Sequence, residues 1–190
     1  FEVCWAALRG GFYLTTVNRY LTTEEAGYIV DDCQARLLVT SRTLGEAALG
    51  LAEHAPRCER WLMLGEPLAG YESYEQALQA QPADPLEDEP AGGFMLYSSG
   101  TTGRPKGIKR PLADVQIHEE GALPILPMLR DLWGFGERSI YLSPAPLYHS
   151  APAGFCTTAL ALGTTVVMME RFDAERSLEY IERYRVTHSQ

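Results

Sequence analysis

Phe94-Met95-Leu96-Tyr97-Ser98-Ser99-Gly100-Thr101-Thr102-Gly103-Arg104-Pro105-Lys106-Gly107 is the stretch on which the reading of this chain turns. Its first four residues are apolar or aromatic and read as a short buried strand. That strand runs straight into a loop of glycines and hydroxyls. Gly100, Gly103 and Gly107 permit positive φ angles and let another group approach the backbone closely. Successive backbone N–H groups in such a loop converge into a concave anion site. Ser98, Ser99, Thr101 and Thr102 add four hydroxyls. Pro105 fixes its own φ and biases Arg104 toward an extended shape, which stiffens the exit. Lys106 supplies a cation. Bare amides, hydroxyls and a lysine after a strand predict a cradle for a polyphosphate.

Two common nucleotide folds are excluded by spacing. A Walker A loop needs Gly-Lys five residues after its first glycine, followed by Ser or Thr. Here Pro105 stands at that spacing from Gly100, and Lys106 is followed by Gly107. No GxGxxG occurs, so a dinucleotide-binding fold has no support.

Working outward, strand-like and helix-like segments alternate. Phe1 to Leu8 is apolar and helix-like. Phe12 to Val17 reads as a strand. Thr22 caps a helix, Glu25 completes a capping box, and Ala26, Ile29 and Val30 form the apolar stripe. Arg36 to Thr40 and Arg60 to Leu64 are short strands, with helical spacing from Leu44 to His54 between them. Tyr74 to Ala80 is helical, and the acidic, Pro-rich stretch 81–90 is a loop before the phosphate cradle. Pro111 to Gly136 shows no clear period. Ile140 to Leu142, Thr164 to Met169 and Val186 onward are strands; Asp173 caps a helix with Leu178 and Ile181 on one face. Such alternation predicts an α/β fold with helices on the faces of a sheet. The chain opens on Phe1 within a helix-like run and stops within a strand-like one. This predicts an incomplete piece of a larger domain, truncated at both ends.

Composition narrows the function classes. Apolar residues make up 46% of the 190, which excludes a disordered chain. A net charge of −9 argues against nucleic-acid partners, which require a basic face. The most apolar stretch, Ala159 to Met169, is too short to span a bilayer and is broken by Gly163 and two threonines. Cys4, Cys33, Cys58 and Cys156 form no CxxC pair, and the four histidines are equally scattered, so no zinc pattern arises. Reduced thiols and the lack of a leader predict a cytoplasmic protein.

Ser98 to Gly107 resembles the phosphate-binding signature of the adenylate-forming (AMP-binding) enzymes, which include acyl-CoA synthetases, luciferases and peptide-synthetase adenylation domains. Asn18, Leu21-Thr22 and Tyr28-Ile29-Val30-Asp31-Asp32 are similar to the same family's approach to that loop. Pro146-Leu147-Tyr148-His149-Ser150 resembles its next, aromatic/histidine motif. The resemblance covers nearly the whole chain and implies αβ subdomains of a large N-terminal domain, with 1–190 as part of it. It implies ATP, a carboxylic acid and coenzyme A as substrates, with Mg²⁺ sharing the phosphate charge. Ser98, Ser99, Gly100, Thr101, Thr102, Gly103, Lys106 and Gly107 would bind the nucleotide. Thr102 and Lys106 would act in catalysis, Thr102 also toward the metal. Tyr148 and His149 would face the acid, with Gly154, Phe155 and Thr158 as pocket lining. Asp31-Asp32 and Asp88-Glu89 read as solvated or capping, and Lys109-Arg110 as a solvated edge. The wording of Tyr148 to Pro152 looks more like fatty-acyl-CoA synthetases, and hence fatty acid metabolism, than peptide-synthetase domains. Two alternatives stay open: a non-catalytic nucleotide-binding fragment, and the adenylation domain of another branch, such as an aryl-acid ligase or a peptide synthetase.

Overall fold

The computed structural model describes residues 1–98 and 104–190. In chain order these form α1 (Glu2–Arg9), β1 (Tyr13–Leu14), α2 (Thr23–Asp32), β2 (Leu37–Ser41), α3 (Leu51–His54), β3 (Arg60–Leu64), β4 (Glu72–Ser73), α4 (Tyr74–Gln79) and β5 (Gly93–Tyr97). Then come β6 (Gly107–Lys109), β7 (Ile140–Ser143), α5 (Ser150–Ala161), β8 (Thr165–Met168), α6 (Ala174–Tyr184) and β9 (His188–Ser189). The architecture is mixed α/β, as the alternation predicts. No helix among the described residues is long and apolar enough to cross a membrane.

The chain divides into two compact units. One comprises Tyr13–Asp88 and Phe94–Pro111. Its parallel sheet has the order β2-β3-β4, with Leu37 opposite Arg60 and Ser41 opposite Leu64. α2 begins where the capping box predicts. Thr22 Oγ1 accepts from the Glu25 amide at 3.3 Å, and the Glu25 carboxylate accepts from the Thr22 amide at 2.9 Å. These bonds satisfy two N–H groups that a helix start leaves open. Val30 of the predicted stripe is buried with Ala55 and Cys58. The helix expected over Leu44 to His54 is broken. A 3-10 segment, Arg42–Ala48, contains Gly45 at φ 57°, and Gly50 at φ 79° precedes the short α3. Both glycines take a backbone conformation that side-chain-bearing residues resist, so the helical spacing could not be realised as one helix. A second sheet has the order β1-β5-β6. There β5 and β6 are antiparallel, with Met95 opposite Lys109 and Tyr97 opposite Gly107. β6 was not expected; Gly107 ends the loop and also starts a strand.

The other unit comprises Phe1–Phe12, Glu89–Gly93 and Leu112–Gln190. Its parallel sheet has β7 at the centre, flanked by β8 and β9. The crossovers β7-α5-β8 and β8-α6-β9 run in opposite directions across the sheet. Right-handed crossovers of that kind place α5 and α6 on opposite faces. The core gathers Leu129, Phe135, Tyr141, Cys156 and Ala159. α5 was missed in the sequence because it is apolar on every side and so shows no amphipathic period; Pro152, Ala153 and Cys156 to Ala159 are all buried. Pro152 lies in the first turn, where an amide has no helical partner to lose. α6 starts as predicted, with the Arg176 amide donating to Asp173 Oδ1 at 2.8 Å. Its stripe faces outward: Leu178 is 69% exposed.

Gly92 shows where α1 meets the chain that returns to it. Its amide donates to Leu8 O at 2.7 Å. A Cβ there would lie 2.5 Å from Phe12 O and 2.6 Å from Ala7 O. Backbone oxygens cannot rotate aside. Gly92→Ala is therefore expected to destabilise the protein by about 2–3 kcal/mol, the upper range of overpacking costs. Urea denaturation measures this, and an unchanged midpoint would remove the close approach of α1.

Candidate functional site

The loop that carries the chemistry springs from the β5–β6 hairpin. Ser99, Gly100, Thr101, Thr102 and Gly103 lie outside the described residues. Both necks of the loop are described. The Ser98 amide donates to Lys106 O at 3.0 Å, and the Lys106 amide donates to Ser98 Oγ at 3.4 Å. Ser98 thus closes the hairpin beneath the loop; its hydroxyl oxygen is already an acceptor there. The Lys106 side chain is exposed. Gly107 was expected to supply a positive φ. It is not among the positive-φ glycines, and its constraint is space. A Cβ at 107 would stand 2.5 Å from Met95 Cε and 2.9 Å from Tyr97 Cζ.

Three residues that sequence reading did not assign to the site converge on these necks. The Tyr97 hydroxyl donates to Asp32 Oδ2 at 2.5 Å. Burial, with the Asp32 carboxylate beside it, pushes the Tyr97 phenol well above the ordinary tyrosine range. The Tyr28 hydroxyl donates to Pro105 O at 3.2 Å, and the Arg104 guanidinium lies 4.9 Å from the Tyr28 ring centre. The acidic pair read as solvated or capping is engaged on both members. Asp32 holds Tyr97, while Asp31 accepts Arg57 through two bonds of 3.0 and 2.7 Å, which hold its carboxyl below the usual aspartate range. In the other acidic pair, Glu89 is bound to Arg9. On the solvated edge expected at Lys109-Arg110, Lys109 Nζ sits 4.5 Å from the Tyr13 ring centre.

Tyr148 and His149 belong to the other unit. They follow β7, the central strand, and His149 is the N-cap of α5 with no side-chain capping bond. Its ring is exposed and lies 4.5 Å from that of Tyr148. Both stand at the carboxyl edge of a parallel sheet, where open α/β folds bind their ligands. The proposed pocket lining fares differently. Phe155 packs against the core and stacks on Trp133 at 5.3 Å, and Thr158 is buried. Thr158 is thus an interior residue, whereas Phe155 is half-buried against the core. A Cβ on Gly154 would meet Ile125 Cδ1 at 3.5 Å, an ordinary contact. Among the described residues no group of three or more His, Cys, Asp or Glu side chains could hold a metal ion.

Comparison with known proteins fits this geometry. Residues 1–190 match the family model described as AMP-binding enzyme. The chain belongs to this family, the adenylate-forming enzymes. It is 27% identical to a 3-methylmercaptopropionyl-CoA ligase of Ruegeria pomeroyi, over 98% of this chain and 36% of that protein. It is 37% identical to a 4-chlorobenzoate–CoA ligase of a Pseudomonas species, over 66% of this chain and 23% of that protein. Among solved structures, a long-chain-fatty-acid–CoA ligase of Archaeoglobus fulgidus superposes with a TM-score of 0.71 at 24% identity, over 91% of this chain and 33% of that one. The architecture is that of the N-terminal domain of adenylate-forming enzymes. The chain spans about a third of the length of the curated relatives it matches.

Proposed function

We propose that this chain is the pyrophosphate-gripping part of an ATP-dependent acid–thiol ligase. In the first half-reaction a carboxylate oxygen attacks the α-phosphorus of ATP. The bond to the β-phosphate oxygen breaks, giving an acyl-adenylate and pyrophosphate. In the second, the sulfur of coenzyme A attacks the acyl carbon and AMP leaves. One observation carries this reading: the full Ser98-to-Gly107 signature after a strand, in a chain that the AMP-binding family model matches over residues 1–190. The loop amides and hydroxyls would hold the β and γ phosphates where negative charge develops, which is positioning plus electrostatic stabilisation. Mg²⁺ ordinarily keeps several waters and rides on substrate phosphates. The described residues offer no carboxylate cluster of their own, so the phosphates and the Thr102 hydroxyl are the proposed holders. Tyr148 and His149 would border the acid and the thiol path. Adenine and ribose contacts are proposed to come from elsewhere in a longer polypeptide, so the 190 residues alone would not complete the reaction.

The Tyr148-to-Pro152 wording favours a fatty acid. The kinship with a 4-chlorobenzoate–CoA ligase favours a second reading, an aryl acid. A panel of fatty, short aliphatic and aromatic acids, scored by AMP release from the full-length polypeptide with ATP and coenzyme A, separates them. Release should require both acid and thiol, and fatty acids should exceed benzoates about tenfold, the low end of what one apolar pocket discriminates. The reverse order establishes the aryl reading. ATP binding with no acid-dependent release would replace both by a non-catalytic nucleotide binder.

A further inference from the structure

One turn of α2 holds both ends of the phosphate loop. Tyr28 and Asp32 are spaced i, i+4 and so share a helix face. Asp32 takes the hydroxyl of Tyr97, the last residue of β5 and the entry to the loop, at 2.5 Å. Tyr28 donates to the carbonyl of Pro105 at the exit, 3.2 Å away, and its ring carries the Arg104 guanidinium. Between these anchors Tyr97 lies opposite Gly107, whose missing side chain leaves room for the phenol ring. A hydroxyl donating to a carboxylate is a charge-assisted bond, stronger than a neutral one. The Tyr97 phenol keeps its proton through neutral pH, so the bond persists there. Neither bond touches the hydrophobic cluster of Val30, Ala55 and Cys58 that holds α2 in the fold.

We infer that Tyr28 and Asp32 are positioning residues for ATP: α2 fixes the entry, at Tyr97, and the exit, at Arg104 and Pro105, of the phosphate signature. The inference rests on the ligase reading above. Loop ends held before the nucleotide arrives leave less conformational freedom to be lost on binding it. Loosening either anchor therefore weakens the grip on phosphate and leaves the acid site alone.

The test is acid-dependent ATP–pyrophosphate exchange by the full-length polypeptide. Asp32→Ala and Tyr97→Phe should each raise KM for ATP and for pyrophosphate about tenfold, with KM for the acid unchanged. Asp32→Asn keeps an oxygen to accept the Tyr97 hydroxyl and should recover most of the loss. The pair Asp32→Ala with Tyr97→Phe should be no worse than either alone, since both remove one bond. Tyr28→Phe keeps the ring under Arg104 and should cost about threefold. Unchanged nucleotide KM, or acid and nucleotide KM rising together, overturns the inference. If Asp32→Ala fails to fold, Asp32→Asn and Tyr28→Phe carry the test. Should the wild type bind ATP without exchange, the ligase reading falls and calorimetric Kd values for pyrophosphate read the anchors instead. If the wild type binds neither, both fall.

Discussion

Replacing Thr102 with valine is expected to lower acid-dependent ATP–pyrophosphate exchange about 100-fold while the urea midpoint stays put. The substitution keeps the branched shape and removes one hydroxyl. In a stretch rich in glycines and hydroxyls that change of one polar atom is expected to leave the fold intact. On the ligase reading proposed above, its cost is chemical. Charge grows on the departing pyrophosphate as the bond to the α-phosphate breaks. A fixed donor aimed at that charge costs no reorganisation at the moment of reaction, and loss of one such donor typically lowers a rate 10²–10³-fold. The expected signature is a fall in kcat as well as in kcat/KM, because the interaction strengthens in the transition state. Lys106 makes a useful contrast. Its side chain is exposed, so on the same reading its help would be that of a screened point charge and should weaken as salt is added. Thr102→Val with undiminished exchange would take Thr102 out of the site and leave the loop's amides to hold the phosphates.

What could be read from residues alone follows from how far each signal reaches along the chain. The capping box at Thr22 and Glu25 and the cap at Asp173 are complete within four positions, and both form as expected. β2, β3 and the start of β7 are short apolar runs, legible for the same reason. The 98–107 signature is contiguous, so its chemistry could be argued from one window. Failures came where the deciding contact is remote or the pattern uniform. Gly45 and Gly50 interrupt a run whose spacing alone reads as helix. α5 has no polar face to betray its period. The anchors of the phosphate loop were illegible because each bond joins distant positions: Asp32 with Tyr97 and Tyr28 with Pro105. An acidic pair at a helix end reads as solvated until the partner is seen. Thr158, a pocket-lining residue by resemblance, is buried within α5, and Phe155 is half-buried against the core.

Gly107→Val should be as damaging as Thr102→Val, about 100-fold in exchange, and for a different reason. Gly107 does not need glycine for its φ angle. It needs it because a Cβ would stand 2.5 Å from Met95 Cε, 2.9 Å from Tyr97 Cζ and 3.1 Å from the Tyr97 hydroxyl oxygen. The Met95 methyl ends a flexible chain and can swing away. The Tyr97 ring cannot yield without breaking its 2.5 Å bond to Asp32. The added side chain must therefore displace the ring or part the β5–β6 pair, and either outcome moves the loop that both strands carry. Overpacking of this kind costs about 1–3 kcal/mol of stability, so exchange must be measured below the onset of urea unfolding. Alanine at 107 brings the same Cβ without the branch and should fall between wild type and valine. Shrinking the obstacle should relieve it: Gly107→Ala with Tyr97→Ser should lose less than the product of the two single losses. If Gly107→Ala exchanges like the wild type, room for the Tyr97 ring is not what this position provides. The glycine's place in the loop would then rest on direct approach of the phosphate to its backbone, which valine would block and alanine would spare.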